Sequence, residues 1–110
     1  MTSSRGIDKP EYISLEDVKT VVSHPSRWIL MTHLYRKGEL LYSEAKNLLM
    51  KHGQSSSPWE IRRHLTELEK SGLVFHEERK PYIITPKGRR LIRGLFKLIE
   101  HIGDFWQKEL

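Results

Sequence analysis

Residues 57–74, SPWEIRRHLTELEKSGLV, decide the fold of this chain, because they hold its strongest helix start and a clear stop. Ser57 and Glu60 have the spacing of a capping box, and Pro58 suits a first helical position, where its missing N–H costs nothing. Apolar side chains then recur at i, i+4 and i+7, at Ile61, Leu65 and Leu68. Gly72 closes the pattern. The stretch therefore predicts an amphipathic helix over residues 58–71.

The side of this helix opposite its apolar stripe carries cations and one hydroxyl. At 100° per residue that side gathers Trp59, Arg62, Arg63, Thr66 and Lys70. One flank carries Glu60, His64 and Glu67. A solvated surface helix shows the same kind of charge opposite its core, and Trp59 alternatively folds back onto the preceding helix. The face is therefore either a binding surface or the ordinary solvated side of a surface helix.

Downstream of this helix the sequence predicts a short hairpin and one long helix. Residues 73–75 and 82–85 are apolar, β-branched or aromatic, and charged residues with a proline lie between them. Arg79 and Lys80 fall at the hairpin tip, where polar residues are common in any case. Thr85 and Pro86 then begin a final helix of about 22 residues.

Upstream, residues 1–13 have no periodicity and are predicted to be a flexible tail. A helix from Ser14, with Val18, Val21 and Val22 as its stripe, should stop before Pro25. A second helix, widely apolar, runs from Pro25 to Lys37 and Gly38, and a third from Ser43 as its cap to about His52. The order is α-α-α-α-β-β-α, mainly helical with a small β-hairpin.

Three pieces of sequence resemble a known superfamily. They are residues 24–27 (HPSR) before an apolar helix, residues 63–74 (RHLTELEKSGLV), and residues 84–88 (ITPKG) leading into the last helix. The stretch from Pro25 to Gly88 is similar to winged helix-turn-helix proteins, particularly the ArsR- and MarR-type transcription regulators of bacteria and archaea. It departs from them at residues 53–57, a turn that is longer and richer in serine than in the simplest members.

The resemblance implies a DNA-binding domain over residues 14–88 that regulates transcription. The helix over 58–71 would lie in the major groove of duplex DNA, and the wing, residues 73–85, would lie on the adjacent backbone or minor groove. We expect Arg62, Arg63 and Thr66 to read bases, with Trp59 beside them. Phosphate contacts are expected from the following residues: Ser56, Ser57, Lys70, Arg79 and Lys80.

The distribution of charge agrees with this placement. The chain has 110 residues and a net charge of +5, whereas residues 62–97 alone hold ten Lys and Arg against four Glu, a net of +6. Lys87, Arg89, Arg90 and Arg93 start the last helix, where cations oppose the helix dipole. They are expected to face phosphate or to support the wing, and a solvated basic face is the alternative.

The last helix is more apolar than one small domain needs. Large exposed apolar faces are rare on monomers, so we expect residues 86–110 and the first helix to form a two-fold dimer interface, with inward packing in the same chain as the alternative. The interface residues predicted are Val18, Val22, Leu95, Leu98, Ile99, Ile102, Phe105 and Trp106.

Other classes of function have less support. The chain has no Cys, which excludes disulfides and thiolate metal ligands, and its six His form no convincing ligand set. With no phosphate loop and no nucleophile motif we expect neither catalysis nor a cofactor, and a small-molecule effector is left open. Neither a membrane-spanning segment nor a secretory signal is expected, so the predicted location is the cytoplasm, with the nucleoid. A winged-helix module that binds another protein is the main alternative.

Overall fold

The computed structural model describes the backbone of residues 12–109 and the side chains of residues 12–102. This part of the chain is mainly helical and carries one small antiparallel sheet of three strands. The elements in chain order are α1 (Leu15–Val22), α2 (Pro25–Lys37), β1 (Glu39–Leu40), α3 (Tyr42–Lys51), α4 (Pro58–Lys70), β2 (Val74–Phe75), β3 (Tyr82–Ile84) and α5 (Pro86–Glu109).

Helix boundaries follow local chemistry that the sequence shows. Ser14 forms a full capping box with Asp17, since its backbone N–H donates to the carboxylate at 2.9 Å and its hydroxyl accepts from the Asp17 N–H at 3.2 Å. Gly38 ends α2 in the left-handed region, with φ +89°, as predicted. Thr85 caps α5, because its hydroxyl accepts from the Gly88 N–H at 3.0 Å.

The capping box expected at Ser57 and Glu60 is wrong. The Ser57 N–H donates instead to the Ser55 hydroxyl at 3.3 Å, so the Glu60 carboxylate has no such donor to accept from. The cap expected at Ser43 is also wrong. Leu41 takes the cap position two residues earlier, so helix α3 begins at Tyr42, and the Glu44 carboxylate accepts from the Leu41 N–H at 2.8 Å.

The predicted hairpin is present, and a third strand that the sequence analysis missed joins it. Strand β3 is central, pairing with β2 through Phe75 and Ile83 and with β1 through Glu39 and Ile83. The order is therefore α-α-β-α-α-β-β-α. Two residues are too short for an alternating pattern, and the partner of β1 lies more than forty residues further along the chain.

Helix α2 is the centre of the fold, packed against α1, α3, α4, α5 and the sheet. Its Leu30, Met31 and Leu34 have no exposed surface. Trp28 and Tyr35 meet Phe96 of α5 edge to face, with ring centroids 5.7 and 5.6 Å apart. The other fully buried apolar residues are Val21, Leu40, Ala45, Leu49, Ile61, Leu65, Leu68, Leu73 and Ile92.

Helix α5 begins close against the base of the hairpin. A Cβ placed on Gly88 would overlap the carbonyl oxygen of Leu73 and approach the Ile84 side chain to 2.9 Å. Only glycine allows this approach. The start of α5 is thereby fixed relative to β2 and to the end of α4. Among the described residues, no helix combines the length and apolarity needed to cross a bilayer.

Candidate nucleic-acid interface

Helix α4 presents a polar face because its opposite side is anchored in the core. Ile61, Leu65 and Leu68 are fully buried, as their spacing predicts. The structure leaves the residues of the predicted face exposed: Trp59, Arg62, Arg63, Thr66 and Lys70. These five side chains therefore share one accessible side of a helix whose orientation is set by packing.

Two arginines on this face lie over aromatic rings. The guanidinium carbon of Arg62 is 5.6 Å from the ring centroid of Tyr42 on α3, and that of Arg63 is 5.5 Å from the ring centroid of Trp59. Such cation–π contacts are modest at exposed sites, but they limit where the guanidinium groups go. Trp59 is 66% exposed, so the alternative that it packs back onto the preceding helix is wrong.

Tyr42 was not singled out in the sequence. It begins α3, and the only signal for its role is an aromatic residue at the start of the helix before α4. Its ring lies under Arg62, and its hydroxyl is buried without a hydrogen-bond partner in the described part of the chain. Tyr42 therefore supports one cation of the exposed face from the neighbouring helix.

A buried arginine–histidine pair lies beneath the N-terminal half of α4. The Arg27 Nε–H donates to Nδ1 of His64 at 3.0 Å, and the same guanidinium donates to the Thr20 carbonyl at 3.1 Å. Burial and the positive charges of Arg27, His24 and Arg63 hold the pKa of His64 below its ordinary value, so the ring is neutral at pH 7. The pair joins α1, α2 and α4, which fixes the angle at which α4 is presented.

His64 and Arg27 take places that the sequence analysis did not give them. His64 was placed on a flank of the helix, whereas it is 9% exposed, and Arg27 is 6% exposed. The angle of 100° per residue gives the position of His64 around α4, but it does not tell whether that side of the helix faces water or α2. The buried pair depends on a contact between residues 37 positions apart.

A buried ion pair supports the end of α4 and the start of α5. The Lys87 ammonium lies 3.1 Å from the Asp17 carboxylate and donates to the Ser71 carbonyl at 3.0 Å. Burial raises the pKa of Asp17, but hydrogen bonds from Ser14 and Lys87 outweigh it and the pKa lies below its ordinary value. Lys87 is about one-tenth exposed, so it does not face phosphate, and its partners lie on α1 and at the end of α4 rather than in the hairpin.

The hairpin tip carries one arginine in an unusual backbone conformation. The Lys80 N–H donates to the Glu77 carbonyl at 3.0 Å, which closes the turn, and Arg79 within it has φ +67°. Non-glycine residues adopt this left-handed region at a cost of about 1–2 kcal/mol. Lys80 lies 3.5 Å from the Glu77 carboxylate, whereas Arg79 has no ion pair in the described part of the chain.

The remaining predicted phosphate contacts surround α4. Ser57 is exposed and Ser56 is half-buried, both just before the first turn. Lys70 is exposed in the last turn, 4.0 Å from the Glu67 carboxylate, and such surface pairs hold their partners weakly. In the described residues, no three histidine or acidic side chains come together as a metal site would require.

The predicted dimer surface divides into two parts. Val18 and Leu95 are half-buried against the core of their own chain, whereas Val22, Leu98, Ile99 and Ile102 are each about half exposed. Phe105 and Trp106 lie outside the residues whose side chains are described. Leu98, Ile99 and Ile102 therefore form an apolar stripe that the described part of the chain leaves exposed.

The molecule is extended for its size. Its radius of gyration is 15.3 Å, against about 13 Å for a compact domain of this length. Helix α5 has 24 residues, about 36 Å in length, and its first half packs on α2 through Phe96.

Comparisons with protein-family models, with curated proteins and with solved structures gave no match to this chain.

Proposed function

We propose that this protein is a winged helix-turn-helix regulator of transcription that binds duplex DNA as a dimer. In this proposal α3 and α4 form the helix-turn-helix, α4 enters the major groove, and the β2–β3 hairpin is the wing. The order of α2, β1, α3, α4, β2 and β3 supports the assignment, as do a short sheet and a helix-rich core. Such a regulator works on the chromosome, so we place it in the cytoplasm with the nucleoid.

The observation that carries the proposal is the exposed face of α4. A helix that is buried on one side and bears several cations on the other fits a groove whose walls are phosphates. Arg62 and Arg63 are placed to approach base edges, where a guanidinium pairs with O6 and N7 of guanine. Thr66 lies one turn further along the same exposed side and offers a hydroxyl and a methyl group.

Phosphate contacts would come from both ends of α4 and from the wing. Ser56 and Ser57 precede the first turn, and Lys70 lies in the last. Arg79 supports the wing assignment most, because a cation stands where the backbone conformation favours glycine. Lys80 adds a second charge at the same tip.

The apolar stripe of α5 supports dimerisation. Leu98, Ile99 and Ile102 are exposed on an element that extends beyond the core, and two copies packed about a two-fold axis would cover them. Two recognition helices related by such an axis would meet half-sites about one DNA turn, about 34 Å, apart.

An interaction module for another protein is the second candidate, and the exposed Trp59 is the observation that favours it. The two candidates differ in their dependence on salt. Phosphate contacts release counterions, so the affinity for duplex DNA should fall steeply between about 50 and 200 mM salt.

The test is fluorescence anisotropy with labelled duplexes across that salt range, followed by selection of bound fragments from random DNA. We expect a palindromic selected site and a negative slope of log affinity against log salt. Binding to no duplex at about 50 mM salt, or an affinity that does not change with salt, would contradict the proposal.

A further inference from the structure

A recess separate from the outer face of α4 lies between the start of α2 and the first turns of α4. It has a volume of about 240 Å³, and the segment before α4 closes one side. Its polar lining comes from His24, Ser26, Gln54, Ser55, Arg63 and His64, and Glu60 joins them. The Ser26 hydroxyl donates to the Gln54 carbonyl oxygen at 3.1 Å, which leaves the amide N–H groups of Gln54 as donors. The donors around the recess therefore come from His24, Gln54, Ser55, Arg63 and His64.

His64 offers the recess a hydrogen-bond donor that nothing else uses. Its Nδ1 accepts from Arg27, so the proton of the neutral ring is on Nε2. The side chain is about nine-tenths buried, and Nε2 has no hydrogen-bond partner in the described part of the chain. In the described residues, the Tyr42 hydroxyl is the only buried side-chain group that has neither a hydrogen bond nor contact with solvent. Nε2 of His64, which has no hydrogen bond, therefore contacts solvent. The Nε2–H is thus reachable from the recess.

Positive charge surrounds this donor. The Arg27 guanidinium lies directly behind the ring, and its hydrogen bond to Nδ1 polarises the Nε2–H on the opposite edge. Arg63 lines the same recess. The ring of His24 lies 5.4 Å from that of His64 and adds a polar group rather than a charge, because burial and the charges of Arg27 and Arg63 lower its pKa. Ser55 accepts from the Ser57 N–H, so its own hydroxyl proton is available to a ligand. Donors and positive charge converging on a small space fit an anion with several oxygens.

We propose that this recess binds a phosphate group, with one oxygen accepting from the Nε2–H of His64 and others facing Ser55 and Arg63. The inference rests on the proposed function, since the phosphate that reaches this place is then one of the DNA backbone, next to the bases that α4 faces. Free phosphate offers the same chemistry and is the other source.

Glu60 opposes the anion and therefore provides a sharp test. Its carboxylate lines the recess, so Glu60→Gln should tighten binding of the duplex about threefold, the size of a partly screened charge contact. Glu69→Gln removes the same charge from α4 outside the recess and should give a smaller gain. Ser55→Ala should weaken binding about threefold, and Lys19→Gln on α1 should leave it unchanged.

The second measurement uses the unmodified protein, so it does not depend on the folding of any variant. Inorganic phosphate is titrated at constant ionic strength, with chloride as the match, while nuclear magnetic resonance follows the histidine ring nitrogens. We expect the Nε2 signal of His64 to shift and that of His52, an exposed histidine of α3, to stay in place.

The outcomes separate this inference from the proposed function. Duplex binding that responds equally to Glu60→Gln and Glu69→Gln, and not to Ser55→Ala, would overturn the recess and leave DNA binding intact. A His64 shift with inorganic phosphate but no duplex binding would keep the recess as a site for free phosphate and refute its role on DNA. Duplex binding with all the expected differences between variants supports both the recess and the proposed function. The absence of both duplex binding and a His64 shift refutes both.

Discussion

Replacing Asp17 with Asn removes one charge from the ion pair that joins α1 to the start of α5. The Asn amide oxygen can still accept from the Ser14 N–H, so the capping of α1 is retained and the charge alone is lost. Lys87 then stays about one-tenth exposed without a counter-charge, and it keeps its hydrogen bond to the Ser71 carbonyl, with the Asn oxygen beside it as a neutral acceptor. Breaking a buried ion pair from one side costs about 3–5 kcal/mol. We take the lower end, about 3 kcal/mol, because Lys87 keeps that hydrogen bond.

The assay is chemical and thermal unfolding followed by circular dichroism. At about 4 °C per kcal/mol for a chain of this length, Asp17→Asn should lower the Tm by about 12 °C. Lys87→Met should cost less, since the Asp17 carboxylate keeps the hydrogen bonds of its cap. The double variant should be no less stable than Asp17→Asn alone, because the two residues act on one interaction.

Two results would refute this reasoning. One is a free energy of unfolding for Asp17→Asn within about 1 kcal/mol of that of the unmodified protein. The other is a double variant whose loss equals the sum of the two single losses, because independent sites add.

Three further predictions concern acid stability, the wing and the dimer. The pKa of His64 is held below 6.5, so as the pH drops below 6.5 the unfolded chain binds a proton at this residue before the folded chain does. The free energy of unfolding should therefore fall, by up to about 1.4 kcal/mol per pH unit. Urea titrations from pH 7.5 to 5 check this, and a free energy that does not change with pH contradicts it. Arg79→Gly relieves a left-handed backbone, so it should keep or raise the free energy of unfolding, by up to about 1 kcal/mol, while weakening duplex binding; unchanged affinity would remove Arg79 from the interface. Ile99→Glu should convert a dimer into a species of 13.0 kDa in light scattering without unfolding it, and a 13.0 kDa mass for the unmodified protein at the same concentration would refute the dimer.

Local sequence signals predicted most of the helices. Prolines at positions 25 and 58 begin α2 and α4, and α2 ends at Gly38 as expected. The hairpin strands lie within the predicted stretches, and α5 runs two residues longer than expected. These signals succeed because they depend on residues within one turn of each other.

The features that sequence reasoning missed depend on distant contacts or on competition between nearby acceptors for one N–H group. Strand β1 exists because β3 pairs with it, and Arg27 and His64 meet only when α2 packs on α4. The capping box at Ser57 failed because the Ser57 N–H donates to the Ser55 hydroxyl and not to the Glu60 carboxylate. The exposed face of α4 was predictable from periodicity, whereas the recess beside it requires three segments to be in place.

The most direct test of DNA binding by α4 is the affinity of an Arg62→Ala, Arg63→Ala double variant for a selected duplex. A matched control is the Arg36→Ala, Lys37→Ala double variant, which removes the same charge from two adjacent exposed residues at the end of α2. We predict a loss of at least about tenfold for the α4 variant, since one specific arginine contact is worth about 1–3 kcal/mol, and a salt slope lower by about two. The control should keep the affinity of the unmodified protein within about threefold. Equal affinities for the α4 variant and the unmodified protein would contradict the account.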